Sequence, residues 1–171
     1  EALPIGYGQT ISQPLVVAFM LELLQPQPDE KILDVGSGSG WKAALLVYIV
    51  SKEISKHSNG FVLTIERIQE LAKMAERNIA KYNFIKKRIV QVVLGDGARP
   101  PREFMPKGGY DKIIAGASGI KIPDAWKAQL KIGGRIVAPV GHSIIVLDKT
   151  AETQFKEKRH EGFSFVPLIS E

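Results

Sequence analysis

Short apolar runs alternate with longer segments of helical periodicity along the chain. The clearest helix is predicted over residues 68–83, because apolar side chains there recur on one face at three- and four-residue spacing. The segment 14–24 is apolar nearly all round, which predicts a buried helix with Pro14 in its first turn. Two further helices are predicted over residues 41–55 and 123–130.

The apolar runs between these helices predict short strands. The predicted strands are 31–35, 61–65, 88–94, 110–115, 135–140, 143–148 and 163–168. Strand and helix alternate in units of about 30 residues, which is typical of an open, mostly parallel α/β sheet. The last strands have no helices between them, so we expect them to close one edge of the sheet in antiparallel fashion.

The length of 171 residues fits one domain of this kind. We predict a single α/β domain, 1–171, built on a doubly wound, Rossmann-like sheet of about seven strands. Residues 1–25 would form an N-terminal segment and helix, and residues 31–171 would form the core around the sheet.

Composition and charge exclude several classes of function. The chain has no cysteine, and its three histidines lack the spacing of metal ligands, so we expect neither disulfides nor a metal site. The net charge of +5 does not by itself indicate a nucleic-acid partner. No run reaches the roughly 18 apolar residues of a membrane-spanning helix, and no signal-peptide pattern opens the sequence. We therefore expect a cytoplasmic protein that associates with neither membranes nor nucleic acids. We also expect a monomer.

A glycine-rich run follows the strand 31–35 and precedes a helix, and it comprises Gly36, Ser37, Gly38, Ser39 and Gly40. Alternate glycines allow a tight turn and a close approach of a ligand to the backbone, beside the free N–H groups of the helix. In a dinucleotide fingerprint the third glycine would stand at Trp41, so a nicotinamide oxidoreductase is disfavoured. The spacing suits a ligand whose carboxylate or ribose meets the loop, and it equally suits a strand-to-helix turn without a ligand.

Acidic residues follow the next two strands. Glu66 is placed to accept hydrogen bonds from ribose hydroxyls, or to form an ion pair with Arg67 or a surface lysine. Asp96 lies between Gly95 and Gly97, where its carboxylate would meet the amine of an adenine or simply form a turn. Residues that follow parallel strands gather at one edge of the sheet, so the three signals together predict a site for an adenosine-containing ligand.

A run dense in glycine and hydroxyl side chains, residues 3–12, precedes the first predicted helix. Ser12 would cap that helix by accepting hydrogen bonds from backbone amides of its first turn. Alternatively, Thr10 and Ser12 would line a pocket that faces the ligand. The residues alone leave both interpretations open.

On these motifs the sequence resembles the protein-L-isoaspartate (D-aspartate) O-methyltransferase family, from Leu3 to about Leu168. The segments that carry the resemblance are LPIGYGQTIS at 3–12, ILDVGSGSG at 32–40, GDG at 95–97, GGRIVAPVG at 133–141 and FVPL at 165–168. The resemblance implies the class I S-adenosylmethionine-dependent methyltransferase fold and methylation of the free α-carboxylate of L-isoaspartyl residues in damaged proteins and peptides. That methylation starts repair through a succinimide, leaves S-adenosylhomocysteine and needs no metal.

The resemblance also implies roles for individual residues. Thr10 and Ser12 would be the catalytic residues beside the transferred methyl group, and Glu66 would hold the ribose. Asp96 and Gly97 would meet the adenine. The whole set of cofactor-binding candidates is Asp34, Gly36, Ser37, Gly38, Gly40, Glu66, Arg67, Asp96 and Gly97.

Three other functions stay open at this point. One is a methyltransferase of the same cofactor with a different carboxylate or small-molecule substrate, and another is a degenerate module that binds the cofactor without catalysis. The third is nucleic-acid binding through the basic runs 86–88 and 156–160. Such runs without interleaved aromatic residues are more typical of solvated surface.

Overall fold

The computed structural model describes residues 3–51 and 59–168. Within these ranges the chain forms nine strands and four α-helices. In chain order they are β1 (Leu3–Gly6), β2 (Gln9–Ile11), α1 (Pro14–Leu24), β3 (Lys31–Val35), α2 (Trp41–Val50), β4 (Phe61–Glu66), α3 (Gln69–Ala80), β5 (Val90–Leu94), β6 (Tyr110–Ala115), α4 (Asp124–Gln129), β7 (Leu130–Val140), β8 (Ser143–Ala151) and β9 (Gln154–Glu161).

Seven strands form one sheet in the order β5-β4-β3-β6-β7-β8-β9. The first five strands in this order, which end with β7, run parallel to one another. β8 and β9 are added antiparallel at the edge. The predicted number of strands, the mostly parallel sheet and the antiparallel edge are thus confirmed. Val35 at the end of β3 is in register with Ile65 and Ala115 on its two neighbours. The strand order reverses beside β3, so this is the position where such sheets bind ligands.

The two faces of the sheet are covered by separate apolar cores. Successive side chains of a strand point to opposite faces, so Ile32 of β3 belongs to one core and its neighbour Leu33 to the other. Helices α1, α2 and α3 pack on the first face, where Leu46 and Ile79 are fully buried. Helix α4 packs on the second face through Trp126. Helices on both faces make the fold doubly wound, as predicted.

Most predicted elements are confirmed, with some ends shifted. α1, β3 and β6 have the predicted limits, and α3 is shorter than the predicted 68–83. β5 begins at Val90, because Arg88 has a left-handed φ of 57° that ends the preceding turn. β7 begins at Leu130, before the predicted 135–140. α2 ends at Val50, and residues 52–55 of its predicted span lie outside the described residues.

The C-terminal part differs from the prediction. The last strand of the sheet is β9, which the sequence analysis missed, whereas the strand predicted over 163–168 is wrong. That segment contributes one isolated parallel bridge, between Ser118 and Pro167. β9 reads QFKEKRHE and is mostly exposed, so it lacks the apolar run by which the other strands were recognised. Charged residues are typical of an edge strand, where they oppose pairing with another chain.

None of the helices in the described ranges is long and apolar enough to cross a membrane. Among the same residues, no group of three or more acidic or histidine side chains lies close enough together to hold a metal ion.

Candidate active site

A cavity opens at the carboxyl ends of β3 and β4, where the strand order reverses. The predicted site residues that line it are Thr10, Ser12, Gly36, Ser37, Gly38, Glu66, Arg67 and Gly97. Three other candidates, Asp34, Gly40 and Asp96, do not line it. The sequence analysis missed several lining residues, among them Lys42 of α2 and the segment 166–168.

The glycine-rich loop between β3 and α2 forms the floor of the cavity. Gly36, Gly38 and Gly40 all have positive φ, of 83°, 52° and 83°. Gly40 faces away from the cavity, because a Cβ there would lie 2.9 Å from the backbone of Ala75 in α3. Gly40 is therefore required for the packing of two helices, and Gly36 and Gly38 give the loop its shape beside the cavity.

Glu66 ends β4 and is almost buried, with 8% exposure. Its Oε2 accepts a hydrogen bond from the backbone N–H of Gly38 at 2.9 Å. Its Oε1 accepts hydrogen bonds from the backbone N–H groups of Arg67 and Ile68 at 2.9 and 3.0 Å. A carboxylate has about four acceptor positions, so these bonds orient Glu66 and leave acceptor capacity for a hydroxyl of a ligand.

Asp96 forms a turn rather than part of the cavity wall. Its Oδ1 accepts a hydrogen bond from the N–H of Ala98 at 2.9 Å, as in the turn that the sequence analysis gave as an alternative. The next residue, Gly97, lines the cavity. A Cβ on Gly97 would collide with Val35 Cγ1, and the carbonyl oxygen of Gly97 accepts a hydrogen bond of 2.7 Å from Trp126 Nε1. Gly97 is thereby fixed against β3. Because it has no side chain, Gly97 presents only its backbone to the cavity.

Asp34 lies beneath the loop and is completely buried. Its Oδ1 is 2.7 Å from Lys42 Nζ, and its Oδ2 accepts a bond of 2.9 Å from Thr64 Oγ1. Burial raises the pKa of the Asp34 carboxyl, and the Lys42 ammonium opposes that shift. The contribution of Asp34 to the site is therefore indirect. Lys42 was recognisable in the sequence as the only charged residue of the apolar segment 41–50.

The hairpin of β1 and β2 carries the two predicted hydroxyl groups to the cavity. Thr10 pairs with Pro4 across the hairpin, and Ser12 follows β2. Helix α1 begins at Pro14 with Gln13 as its N-cap, and no side chain caps it. Ser12 is therefore not a helix cap in this structure, and its half-buried side chain belongs to the cavity.

The segment 166–168 forms a further part of the wall. The N–H of Ser118 donates to the carbonyl of Val166 at 2.8 Å, and the N–H of Leu168 donates to the carbonyl of Ser118 at 2.7 Å. These bonds hold the segment extended beside the loop that follows β6. The cavity is thus lined both by polar groups, among them the glycine loop and Glu66, and by apolar side chains such as Val166, which suits a small ligand with polar and apolar parts.

The order and direction of the strands give the fold of the class I S-adenosylmethionine-dependent methyltransferases, and the cavity lies where the strand order of that fold reverses. Among solved structures the fold is similar to a precorrin-6y C5,15-methyltransferase from Geobacter metallireducens, with a TM-score of 0.61 and 23% identity over 79% of this chain and 65% of that chain. It is more similar to a putative protein-L-isoaspartate O-methyltransferase from Plasmodium falciparum in complex with S-adenosyl-L-homocysteine. There the TM-score is 0.87, with 23% identity over 98% of this chain and 79% of that chain.

Sequence comparison identifies the family within this class. The family profile described as protein-L-isoaspartate(D-aspartate) O-methyltransferase matches residues 1–171. The chain is 42% identical to the protein-L-isoaspartate O-methyltransferase of Methanopyrus kandleri, over 99% of this chain and 72% of that protein. It is 41% identical to that of Pyrococcus abyssi, over 100% of this chain and 75% of that protein. The chain therefore belongs to the protein-L-isoaspartate O-methyltransferase family, which confirms the resemblance found in its sequence.

Proposed function

We propose that this chain binds S-adenosylmethionine in the cavity and transfers its methyl group to the free α-carboxylate of L-isoaspartyl residues in damaged proteins and peptides. Membership of the family supports this activity. The observation that supports it most directly is that the hairpin of β1 and β2 places Thr10 and Ser12 at the cavity. The glycine loop and Glu66 are features that many methyltransferases share, whereas the resemblance to this family is carried most specifically by the segment 3–12. Residues of all three line the same cavity.

The residues of the cavity fit the cofactor. The glycine loop would receive its methionine part, and Glu66 would accept hydrogen bonds from the ribose hydroxyls with the acceptor capacity that its backbone bonds leave. Gly97 would border the adenine, with Asp96 in the turn beside it and Arg67 at the outer edge. When bound, S-adenosylmethionine supplies an electrophilic methyl group on a positively charged sulfur.

The substrate needs little activation by the protein. The reference pKa of an α-carboxyl group is about 3.5, so the nucleophile is ionised at neutral pH and no general base is required. The hydroxyl groups of Ser12 and Thr10 would orient the carboxylate by donating hydrogen bonds. Apolar side chains around them, including Ile5 and Val166, would exclude water. Alignment and exclusion of water then account for catalysis, with S-adenosylhomocysteine as the leaving group. The methyl ester then cyclises without further help: the backbone nitrogen of the following residue attacks the ester carbonyl, methanol leaves, and a succinimide results.

The partners follow from this activity. They are proteins and peptides that contain isoaspartyl residues, and no metal ion takes part in the step described. A monomeric state, a cytoplasmic location and the absence of nucleic-acid and membrane partners stay predictions from the sequence.

Labelled methyl transfer to a matched pair of peptides tests the proposal. One peptide carries isoaspartate and the other carries normal aspartate at the same position. We expect base-labile label on the isoaspartyl peptide alone. Label on neither peptide, with S-adenosylmethionine still bound in calorimetry, would instead favour a methyltransferase with another substrate or a degenerate module that binds the cofactor without catalysis. No binding of the cofactor would overturn the proposal.

A further inference from the structure

Helix α2 carries a single charged residue, Lys42, at its second position. The side chain is only 10% exposed, and it lies between the cavity and the buried Asp34. Its Nζ lies 2.7 Å from Asp34 Oδ1 and 3.4 Å from the carbonyl oxygen of Val35, to which it donates. The mechanism described above assigns Lys42 no role.

A buried ion pair at this position is not explained by stability. Removing two charges from water costs free energy that their attraction often fails to return, and apolar side chains of similar volume are commonly as stable. The rest of α2 is apolar, so a leucine or methionine would suit the helix at position 42. The ion pair therefore points to a specific task for the charge.

The ion pair is one end of a buried polar chain that reaches the glycine loop. The other oxygen of Asp34 accepts a hydrogen bond from Thr64 Oγ1 at 2.9 Å. Thr64 Oγ1 in turn lies 2.7 Å from Ser37 Oγ, within hydrogen-bond distance. Lys42, Asp34, Thr64 and Ser37 thus connect α2, β3, β4 and the loop, and we call these four residues the loop relay.

The charges that act on Asp34 come from two elements. Lys42 on α2 favours the ionised carboxylate, and Glu66 on β4 disfavours it. Glu66 itself is bonded to Gly38 of the loop. The floor of the site therefore holds two carboxylates and one ammonium, and without the ammonium Asp34 would be a buried carboxylate beside another negative charge. Such a group takes up a proton at higher pH.

We propose that Lys42 is a positioning residue for the cofactor: its ion pair with Asp34 favours the ionised carboxylate, and the loop relay then holds the glycine loop in its binding conformation. This inference rests on the proposed function, since it concerns binding of the same cofactor. Lys42 acts through Asp34 and touches no reacting atom.

The test measures the affinity for S-adenosylhomocysteine by calorimetry at several values between pH 6 and pH 8. The affinity of the unaltered chain should change less with pH than that of a variant without the Lys42 charge. Lys42→Met, which removes the charge at similar length, should weaken binding by about tenfold. Its affinity should fall further as the pH is lowered, because Asp34 takes up a proton. Binding should then release that proton, which is detected as a dependence of the heat on the ionisation enthalpy of the buffer.

Two further variants distinguish charge from packing. Lys42→Arg restores a cation and should recover the weaker pH dependence of the unaltered chain. The double variant D34N/K42M removes both charges and leaves no unpaired buried charge, so it should fold even if Lys42→Met alone does not. Its affinity for S-adenosylhomocysteine should no longer depend on pH in this range. A Lys42→Met chain with unaltered, constant affinity would overturn this inference, as would a pH dependence that persists in D34N/K42M. Failure of the unaltered chain to bind S-adenosylhomocysteine would overturn the proposed function instead.

Discussion

The backbone N–H of Gly38 donates to Oε2 of Glu66 across 2.9 Å, so the glycine loop and the end of β4 are joined directly at the floor of the cavity. The two residues lie 28 positions apart in the sequence. The parallel pairing of β3 with β4 brings them together, because it aligns the carboxyl ends of the two strands. One carboxylate thus shapes the loop and lines the cavity.

Glu66→Ala should weaken the binding of S-adenosylmethionine by about 10- to 100-fold, the cost of losing hydrogen bonds to a charged acceptor. The methylation rate at saturating cofactor should change much less. Calorimetry gives the affinity, and peptide methylation gives the rate. Glu70→Ala is the matched control, because Glu70 is an exposed acid in the first turn of α3. Equal affinity in the Glu66→Ala and Glu70→Ala variants would contradict the assignment of Glu66 to the ribose.

Ser12→Ala should have the opposite effect. The rate of methyl transfer should fall by up to about 100-fold, because the substrate carboxylate loses a group that aligns it. The affinity for S-adenosylmethionine should stay nearly unchanged. Thr153→Ala, which removes an exposed hydroxyl in the turn between β8 and β9, is the control and should retain full activity. An equal loss of rate and cofactor affinity, or an unchanged rate, would rule out the role proposed for Ser12.

Gly40→Ala should destabilise the fold through two separate effects. A left-handed φ is strained for any residue with a Cβ, and here the added carbon would also lie 2.9 Å from the backbone of Ala75. Gly133 has nearly the same φ, 82° against 83°, with nothing within 4 Å of an added Cβ. Gly133→Ala therefore isolates the backbone strain and should lower the free energy of unfolding by about 1 kcal/mol.

Gly40→Ala should cost about 3 kcal/mol, since the collision adds to the same strain. Urea unfolding of both variants beside the unaltered chain measures the two costs. The difference between them reports how tightly α2 and α3 pack behind the loop. Similar losses in the two variants would mean that the helices adjust to the added carbon, and that Gly40 is required for its φ alone.

Most strands of the sheet were predictable because the sequence features that specify them are local. The strand 31–35 is an apolar run that ends in alternate glycines, and such a pattern specifies a strand and a turn without reference to the rest of the chain. β9 was missed because no local sequence feature specifies it. It is fixed by pairing with β8, and its side chains are mostly exposed and charged. Apolar periodicity therefore carries no information about it.

The site was predictable to the extent that its residues follow strands. Glu66 and Gly97 reach the cavity because parallel strands end at one edge, a rule that applies before any coordinates are known. The loop relay depends instead on contacts between distant parts of the chain. Thr64 lies 30 positions from Asp34 in the sequence, and its hydroxyl group bonds to Asp34 beneath the loop. It does not extend beyond the end of its strand. Its hydroxyl in a strand gave no local signal of that contact.

Tyr110 predicts how the fold responds to alkaline pH. The side chain is fully buried, and burial raises its pKa to about 12. In the unfolded chain the phenol titrates at about pH 10, so above that pH the unfolded chain releases a proton that the folded chain retains. The free energy of unfolding should therefore fall as the pH rises from 10 toward 12.

Urea unfolding between pH 8 and pH 12 measures this effect in matched variants. Tyr110→Phe cannot ionise and loses only a long hydrogen bond, of 3.4 Å to the carbonyl of Phe104. Its stability should decline less steeply above pH 10 than that of the unaltered chain. Tyr82→Phe changes an exposed tyrosine and should follow the unaltered chain. Every other change of protonation at alkaline pH is common to the unaltered chain and the Tyr110→Phe variant, so only the difference between their curves reports Tyr110. Parallel curves for Tyr110→Phe and Tyr82→Phe would show that the buried phenol does not control the alkaline transition.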